Sequence, residues 1–298
     1  MKNSCSTSLS SGLLLLLVLA PACLACLGCS DPGDNDEACW EEDSPSGKAH
    51  SSAAKHRAQI TVVHDLSYSG GSSTTKRSIT AAFKDITYAE MASTTPGSLE
   101  CDVACVVRTG APYKVCKKDP CELRTLEANT VVVDVGSGAV TLEQKASGSF
   151  NSYDSPEPLF GPNPVKATVT SGTAASDFPS FDISLAPPDL IELERPDPSS
   201  STPVGTSDLK VRWKPGNGDF LVAEIRSADP SITDKVQCFL QDDGCHHIGA
   251  CALDKMDVKA GDSFRFSLER VRIEVKAVDA NTSALLSLSS QVSATLTR

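Results

Sequence analysis

At roughly 100–200 residues per domain, a chain of 298 residues has length for two domains. It is 40% hydrophobic but only 5% aromatic, so its cores must be thin, aliphatic and of the kind that lean on cross-links. A formal net charge of -11, with no basic stripe interleaved with aromatics, repels phosphate backbones and excludes nucleic acid as a partner.

In chain order, Lys2 supplies a minimal positive region and Leu13–Ala20 an apolar run of signal-peptide length, followed by small residues. The run breaks at Pro21, short of the about 20 apolar residues that a membrane span needs. Residues 21–29 then read "PACLACLGC", three cysteines spaced three apart. This segment resembles a bacterial lipoprotein signal peptide, in which a small residue immediately precedes the cysteine that is cut free and acylated. Gly28 before Cys29, Ala25 before Cys26 and Ala22 before Cys23 satisfy that position, while the two positions upstream depart from the family pattern at each cysteine. The resemblance implies a signal peptide over residues 1–28, a lipid on Cys29 (alternatives Cys23 and Cys26) and a membrane anchor on the bacterial cell envelope. Parity favours Cys29, because eight cysteines remain after it: Cys39, Cys101, Cys105, Cys116, Cys121, Cys238, Cys245 and Cys251. Ala20–Ala22 also offers a small-x-small site for plain secretion without a lipid.

Residues 29–56 are acidic and poor in apolar side chains, with Asp31, Asp34, Asp36, Glu37, Glu41, Glu42 and Asp43 close together. They read as a flexible tether. From residue 57 the pattern has period two: "QITVV", "SITAAF", "NTVVVDV" and "AVTLEQ", the last two flanking a "GSG" hairpin turn, then "KATVTSG" and "SFDISLA". Short helices are expected around Tyr88–Ala92 or Leu123–Ala128. This is how a β-sandwich reads, and it is assigned to residues 57–193. The Pro- and Ser-rich residues 194–207 read as a linker to a second sandwich over 208–298. There "FRFSL" and "VRIEV" alternate in opposite phase, so a bulge or short turn is expected at Glu269–Arg270. The fold class is therefore all-β, two sandwiches in tandem. The body is similar to tandem β-sandwich lipoproteins of unknown function, most specifically in "LKVRWKPGNGD" and "VQCFLQDDG". That resemblance implies architecture and location but no activity.

Two cysteine groups carry the remaining chemistry. In "CDVACVVRTGAPYKVCKKDPC" the position sums of Cys105 with Cys116 and of Cys101 with Cys121 nearly coincide and centre on the turn-forming "GAP". Nested bridges Cys105–Cys116 and Cys101–Cys121 are expected. In "CFLQDDGCHHIGAC" a local bridge Cys245–Cys251 is expected, with the histidines exposed near a turn. The sharper alternative is a metal held by Cys238, Cys245, His246, His247 and Cys251, although adjacent histidines on a strand point to opposite faces. There is no GxSxG elbow, HExxH or phosphate loop, and His64 reads as a strand-end residue. Trp213, beside Leu209 and Val211 on one strand face, reads as core. The reading is a non-enzymatic envelope lipoprotein without a cofactor, whose partners are the membrane and an envelope protein or carbohydrate. The alternatives are an envelope hydrolase or metal-binding protein built on the Cys/His group, and an accessory subunit of an envelope assembly.

Overall fold

The computed structural model describes residues 54–69, 72–85, 89–90, 102, 104–108, 115–116, 124–144, 150–152, 160–172, 178–204, 207–256 and 261–298. The first half holds β1 (His56–Ser69), β2 (Ser72–Asp85), β3 (Ala89–Glu90), β4 (Cys105–Arg108), β5 (Val115–Cys116), β6 (Arg124–Thr125), β7 (Thr130–Asp134), β8 (Ala139–Thr141), β9 (Glu143–Gln144) and β10 (Phe150–Ser152). There follow β11 (Val165–Thr170), β12 (Phe181–Leu185), β13 (Leu193–Arg195), β14 (Ser201–Pro203), β15 (Leu209–Trp213) and β16 (Phe220–Ser227). The chain closes with β17 (Lys235–Leu240), β18 (Cys245–Ile248), the short helix α1 (Ala250–Asp254), β19 (Ser263–Ala277) and β20 (Thr282–Thr297). The fold is all-β, as the period-two pattern implies.

Eleven strands share one sheet, in the order β4-β17-β16-β19-β20-β1-β2-β10-β9, with β14 added to β20 and β6 to β2. Among the described residues three smaller sheets, β12-β11-β7-β8, β13-β15-β18 and the two-stranded β3-β5, accompany it. The first long strand, β1, runs parallel to the last, β20, from His56 opposite Thr282 to Ser67 opposite Ser293. The two halves of the sequence are thus stitched through a common sheet, and the division into tandem sandwiches at residues 194–207 does not describe this pairing. β14 lies inside that stretch and continues along β20 where β1 ends, with Ser201 opposite Thr295. A Pro/Ser-rich segment can do this at a sheet margin, where Pro203 need not donate to a neighbour. The body also starts earlier than residue 57: Ala54 is buried, and Lys55 N and His56 N both donate to Asn281 O. Residues 1–53, which hold the expected signal peptide and most of the expected tether, lie outside the described residues.

The common sheet still serves two cores. On β20, Ala284, Leu286 and Leu288 belong to the first and Val292, Ala294 and Leu296 to the second. Side chains two apart share a strand face, so both cores lie on the same side of the sheet. The first is completed by the sheet carrying Val131, Val133, Val165, Val169 and Ile183, and the second by the sheet carrying Leu209, Val211 and Trp213. Trp213 is 1% exposed and fills the second core.

Three local expectations are corrected. β19 keeps an unbroken antiparallel register with β20 from Ser263 opposite Thr297 to Ala277 opposite Ser283, so there is no bulge or turn at Glu269–Arg270. What changes there is which face is apolar, because Arg270 continues the inward row of Phe264, Phe266 and Leu268. The expected short helices at Tyr88–Ala92 and Leu123–Ala128 give way to β3 and β6. Each is paired, with β5 and with β2 respectively. A helix of five or six residues is too short to hold against a strand partner. The "GSG" turn stands as expected: it joins β7 to β8, with Gly136 at φ 83°, a conformation that favours glycine.

Candidate functional site

Between the two cores a row of polar side chains crosses the sheet. His64 on β1 is opposite Arg77 on β2 and Ser290 on β20, and Ser290 is opposite Arg270 on β19. Opposed residues of neighbouring strands share a face, so Arg77, His64, Ser290 and Arg270 form one inward-facing line. Arg270 is 1% exposed, and Ser290 and Arg77 are also buried.

The segment that passes from β12 to β13 is bonded to this line. Ile191 N donates to Ser290 Oγ at 2.9 Å, and Arg270 Nη1 donates to the carbonyls of Asp189 and Leu190, both at 3.3 Å. Asn217 holds the same segment from its other side: its Oδ1 accepts from Asp189 N at 2.7 Å and its Nδ2 donates to Pro187 O at 3.3 Å. Pro187 and Pro188 have no N–H to satisfy, which suits a segment that leaves every sheet.

Arg270 is anchored by Asp242. Its Nε donates to Oδ2 at 2.7 Å and its Nη2 to Oδ1 at 2.9 Å, while Asp242 also accepts from Trp213 Nε1 at 3.1 Å and Gly218 N at 2.8 Å. The stretches "LKVRWKPGNGD" and "VQCFLQDDG" therefore meet in space through Trp213, Gly218 and Asp242. Paired acids on a turn are ordinarily solvated charges; Asp242 is instead a structural hub.

Beside the line opens a cavity of about 440 Å³, lined by His64, Phe160, Pro162, Pro187, Pro188 and Leu190 among others. The rings of His64 and Phe160 meet edge to face at 6.5 Å between centroids. Burial holds the His64 imidazole below its ordinary pKa, and the Arg77 cation lowers it further against an opposing pull from Asp65. The imidazole therefore stands neutral at neutral pH, with its Nδ1 buried and without a hydrogen-bond partner among the described residues. Leu190, 53% exposed, forms an apolar lip. His64 lies in the interior of a 14-residue strand rather than at a strand end.

The cysteines pair differently from the local expectation. Cys105 is bonded to Cys238, 133 residues away, and not to Cys116. The position-sum argument assumes that the strands on either side of "GAP" pair with each other. Instead β4 joins β17, placing Cys105 opposite Cys238, while β5 joins β3. Both bonded cysteines are fully buried. Cys245 and Cys251 are also disulfide-bonded. The alternative metal set of Cys238, Cys245, His246, His247 and Cys251 thus has no free thiolate in this structure. His246 turns to Asp102, with Nε2 3.3 Å from Oδ2, and His247 is buried. Cys101 and Cys121, like Cys23, Cys26, Cys29 and Cys39, lie outside the described residues.

Around Asp102 a compact group forms. Its Oδ1 accepts from Ala104 N at 3.1 Å, and its Oδ2 from Gly249 N at 3.3 Å. The same Oδ2 lies 3.0 Å from Cys105 Sγ. Ligand atoms of Asp102, Cys105 and Cys238 lie within 4.8 Å of one another. Residue type alone does not disclose this group, because Asp102 belongs to the first cysteine cluster and His246 to the second.

Compared with known families, the chain matches no family model. No curated protein matches it as a relative.

Proposed function

We propose that this chain is an exported, lipid-anchored and non-enzymatic module of a bacterial cell envelope, with Cys29 as the lipid site. Cys23 and Cys26 are the alternative sites. The observation that carries the reading is the state of its cysteines: Cys105, Cys238, Cys245 and Cys251 are all disulfide-bonded. Disulfides persist in secreted and envelope compartments and are rare in a reducing cytosol. The leader-like N-terminus and the acidic stretch behind it fit the same address.

Binding rather than catalysis suits the site chemistry. Asp242 and Asp102 are committed to backbone and side-chain partners. The neutral imidazole of His64 has Phe160, prolines and a leucine for neighbours, and its Nδ1 has no hydrogen-bond partner among the described residues to orient it for base catalysis. The cavity beside the seam is the place for a small, largely apolar group of an envelope ligand.

Intact-mass measurement of the mature protein from membranes tests the address. Diacylglycerol or triacyl mass on an N-terminal Cys29 supports the anchor; an unmodified N-terminus at Cys23 removes it. A glycan array run beside a cross-linking pull-down from envelopes then separates a carbohydrate ligand from an envelope protein. Saturable binding weakened by Leu190→Asp places the ligand at the cavity. Turnover of an envelope polymer by the purified chain overturns the non-enzymatic reading.

A further inference from the structure

We infer that Asp102, Cys105 and Cys238 are a binding site for a borderline-soft divalent cation, zinc by donor type, whenever the two sulfurs are reduced. The inference goes beyond the envelope reading and does not depend on where the chain resides.

Three observations carry it. The donor atoms of Asp102, Cys105 and Cys238 already lie within 4.8 Å of one another. A tetrahedral zinc with Zn–S about 2.3 Å and Zn–O about 2.0–2.2 Å needs its ligands only about 3.3–3.8 Å apart. His246 Nε2 is 3.3 Å from Asp102 Oδ2 but does not lie within 4.8 Å of both sulfurs, so the set is Cys₂Asp and leaves the fourth position to water.

The set is also held in place before any ion arrives. The carboxylate is fixed by the backbone N–H groups of Ala104 and Gly249. Cys105 and Cys238 are opposed residues of paired strands. Ligands carried on paired strands lose little freedom when they bind.

The third observation is the contact itself. A disulfide sulfur has no proton to give, yet the Asp102 carboxylate lies 3.0 Å from Cys105 Sγ with its side chain only 5% exposed. A thiol at that position donates a hydrogen bond to Oδ2. A thiolate beside a carboxylate needs a cation between them.

The disulfide and the metal site are thus two exclusive ways to tie β4 to β17. A small dithiol converts one to the other: it gives two electrons and two protons to the Cys105–Cys238 bond and becomes a cyclic disulfide itself. Zinc then binds the two thiolates, and their two protons go to solvent. Because both sulfurs are fully buried, the choice is made while the chain folds.

The test refolds the full chain from denaturant with excess dithiol and one equivalent of zinc, then measures zinc per chain after gel filtration. Cobalt substitution reports thiolate-to-metal charge transfer. The wild type is expected to retain zinc, and Asp102→Asn to weaken it at least tenfold. Cys105→Ser abolishes the charge-transfer band, whereas Cys245→Ser/Cys251→Ser keeps it. Refolding Asp102→Asn in an oxidising glutathione buffer, with the Cys105–Cys238 bridge mapped, shows that the variant folds. Zinc retained equally by wild type and Asp102→Asn overturns the inference. So does zinc lost only with Cys245 and Cys251, or a reduced wild type that takes up none.

Discussion

Arg270 and Asp242 face each other through two parallel hydrogen bonds, at 2.7 and 2.9 Å, with side chains 1% and 5% exposed. The pair sits where the apolar row of β19 stops, so one guanidinium separates two cores on one sheet. Burying both charges is costly, and a buried ion pair adds little net stability over a well-packed apolar replacement. Its value here is positional. Arg270 also donates to the carbonyls of Lys214, Asp189 and Leu190, so the charge fixes where the chain crosses from one cover to the other.

Removing one partner leaves the other charge buried and unpaired. Asp242→Ala is therefore expected to cost about 3–5 kcal/mol in urea unfolding. Trp213 loses its Nε1 acceptor in the same variant, so its emission should change even in protein that remains folded. The paired replacement Asp242→Leu/Arg270→Met should cost less than Asp242→Ala. If the double variant is the worse, the guanidinium contributes more through its carbonyl contacts than through the acid.

Gly216 is required by the same guanidinium. A Cβ there would lie 2.5 Å from Arg270 Cζ and within 2.8 Å of both terminal nitrogens, which are pinned by Asp242 and by backbone carbonyls. Gly216→Ala should destabilise by about 1–3 kcal/mol, the usual cost of forcing extra volume into a packed site. In an Asp242→Leu/Arg270→Met background the penalty should largely vanish. A full penalty in that background would locate the clash elsewhere.

The fold class was legible because nearly every strand alternates: Phe181, Ile183 and Leu185 bury one face, as do Val236, Cys238 and Leu240. Strand partners were not, since alternation fixes which face is buried but not which strand lies alongside. The parallel β1–β20 pairing joins residues more than 220 apart, and no local signal encodes it. The same limit misplaced Cys105, whose mate arrives with β17. The seam did leave a trace. His64 follows the inward row Ala58, Ile60, Val62, and Ser290 interrupts the inward row of β20, so polar residues occupy apolar positions in two strands. Their shared register was the missing fact.

His64 gives the seam a pH dependence. Its pKa is held low first by burial and then by the Arg77 cation, so in the folded state it takes up a proton less readily than in the unfolded chain. The unfolded state binds more protons as pH falls through the ordinary imidazole range near ~6.5, and stability declines from there down to the depressed folded value. His64→Gln should flatten the part of the stability curve that declines on acidification below about pH 6.5, while the opposite contribution of Glu269 is common to both proteins and cancels in the comparison. Melting curves at half-unit pH steps report it. An unchanged slope in the variant would mean that the imidazole is charged without penalty in the fold.

Glu269 produces the opposite slope, on the other face of the same sheet. Burial raises its carboxyl pKa, the Ser289 hydroxyl opposes the rise, and the nearby Glu224 and Asp65 carboxylates add to it. Lys235 and Arg265 do not relieve it, being engaged with Glu224 at 2.6 Å and Asp65 at 3.9 Å. A carboxyl raised in the folded state binds its proton more tightly there than in the unfolded chain. Its contribution is most favourable below the ordinary carboxyl range near ~4.3 and is lost as pH rises through the raised folded value. At neutral pH Glu269 is therefore a net cost. Glu269→Gln should raise the melting temperature at pH 7, and the gap from wild type should narrow as pH falls toward 4. A variant less stable than wild type at pH 7 would show that the ionised carboxylate is held by a favourable partner, and the burial argument for Glu269 would fail.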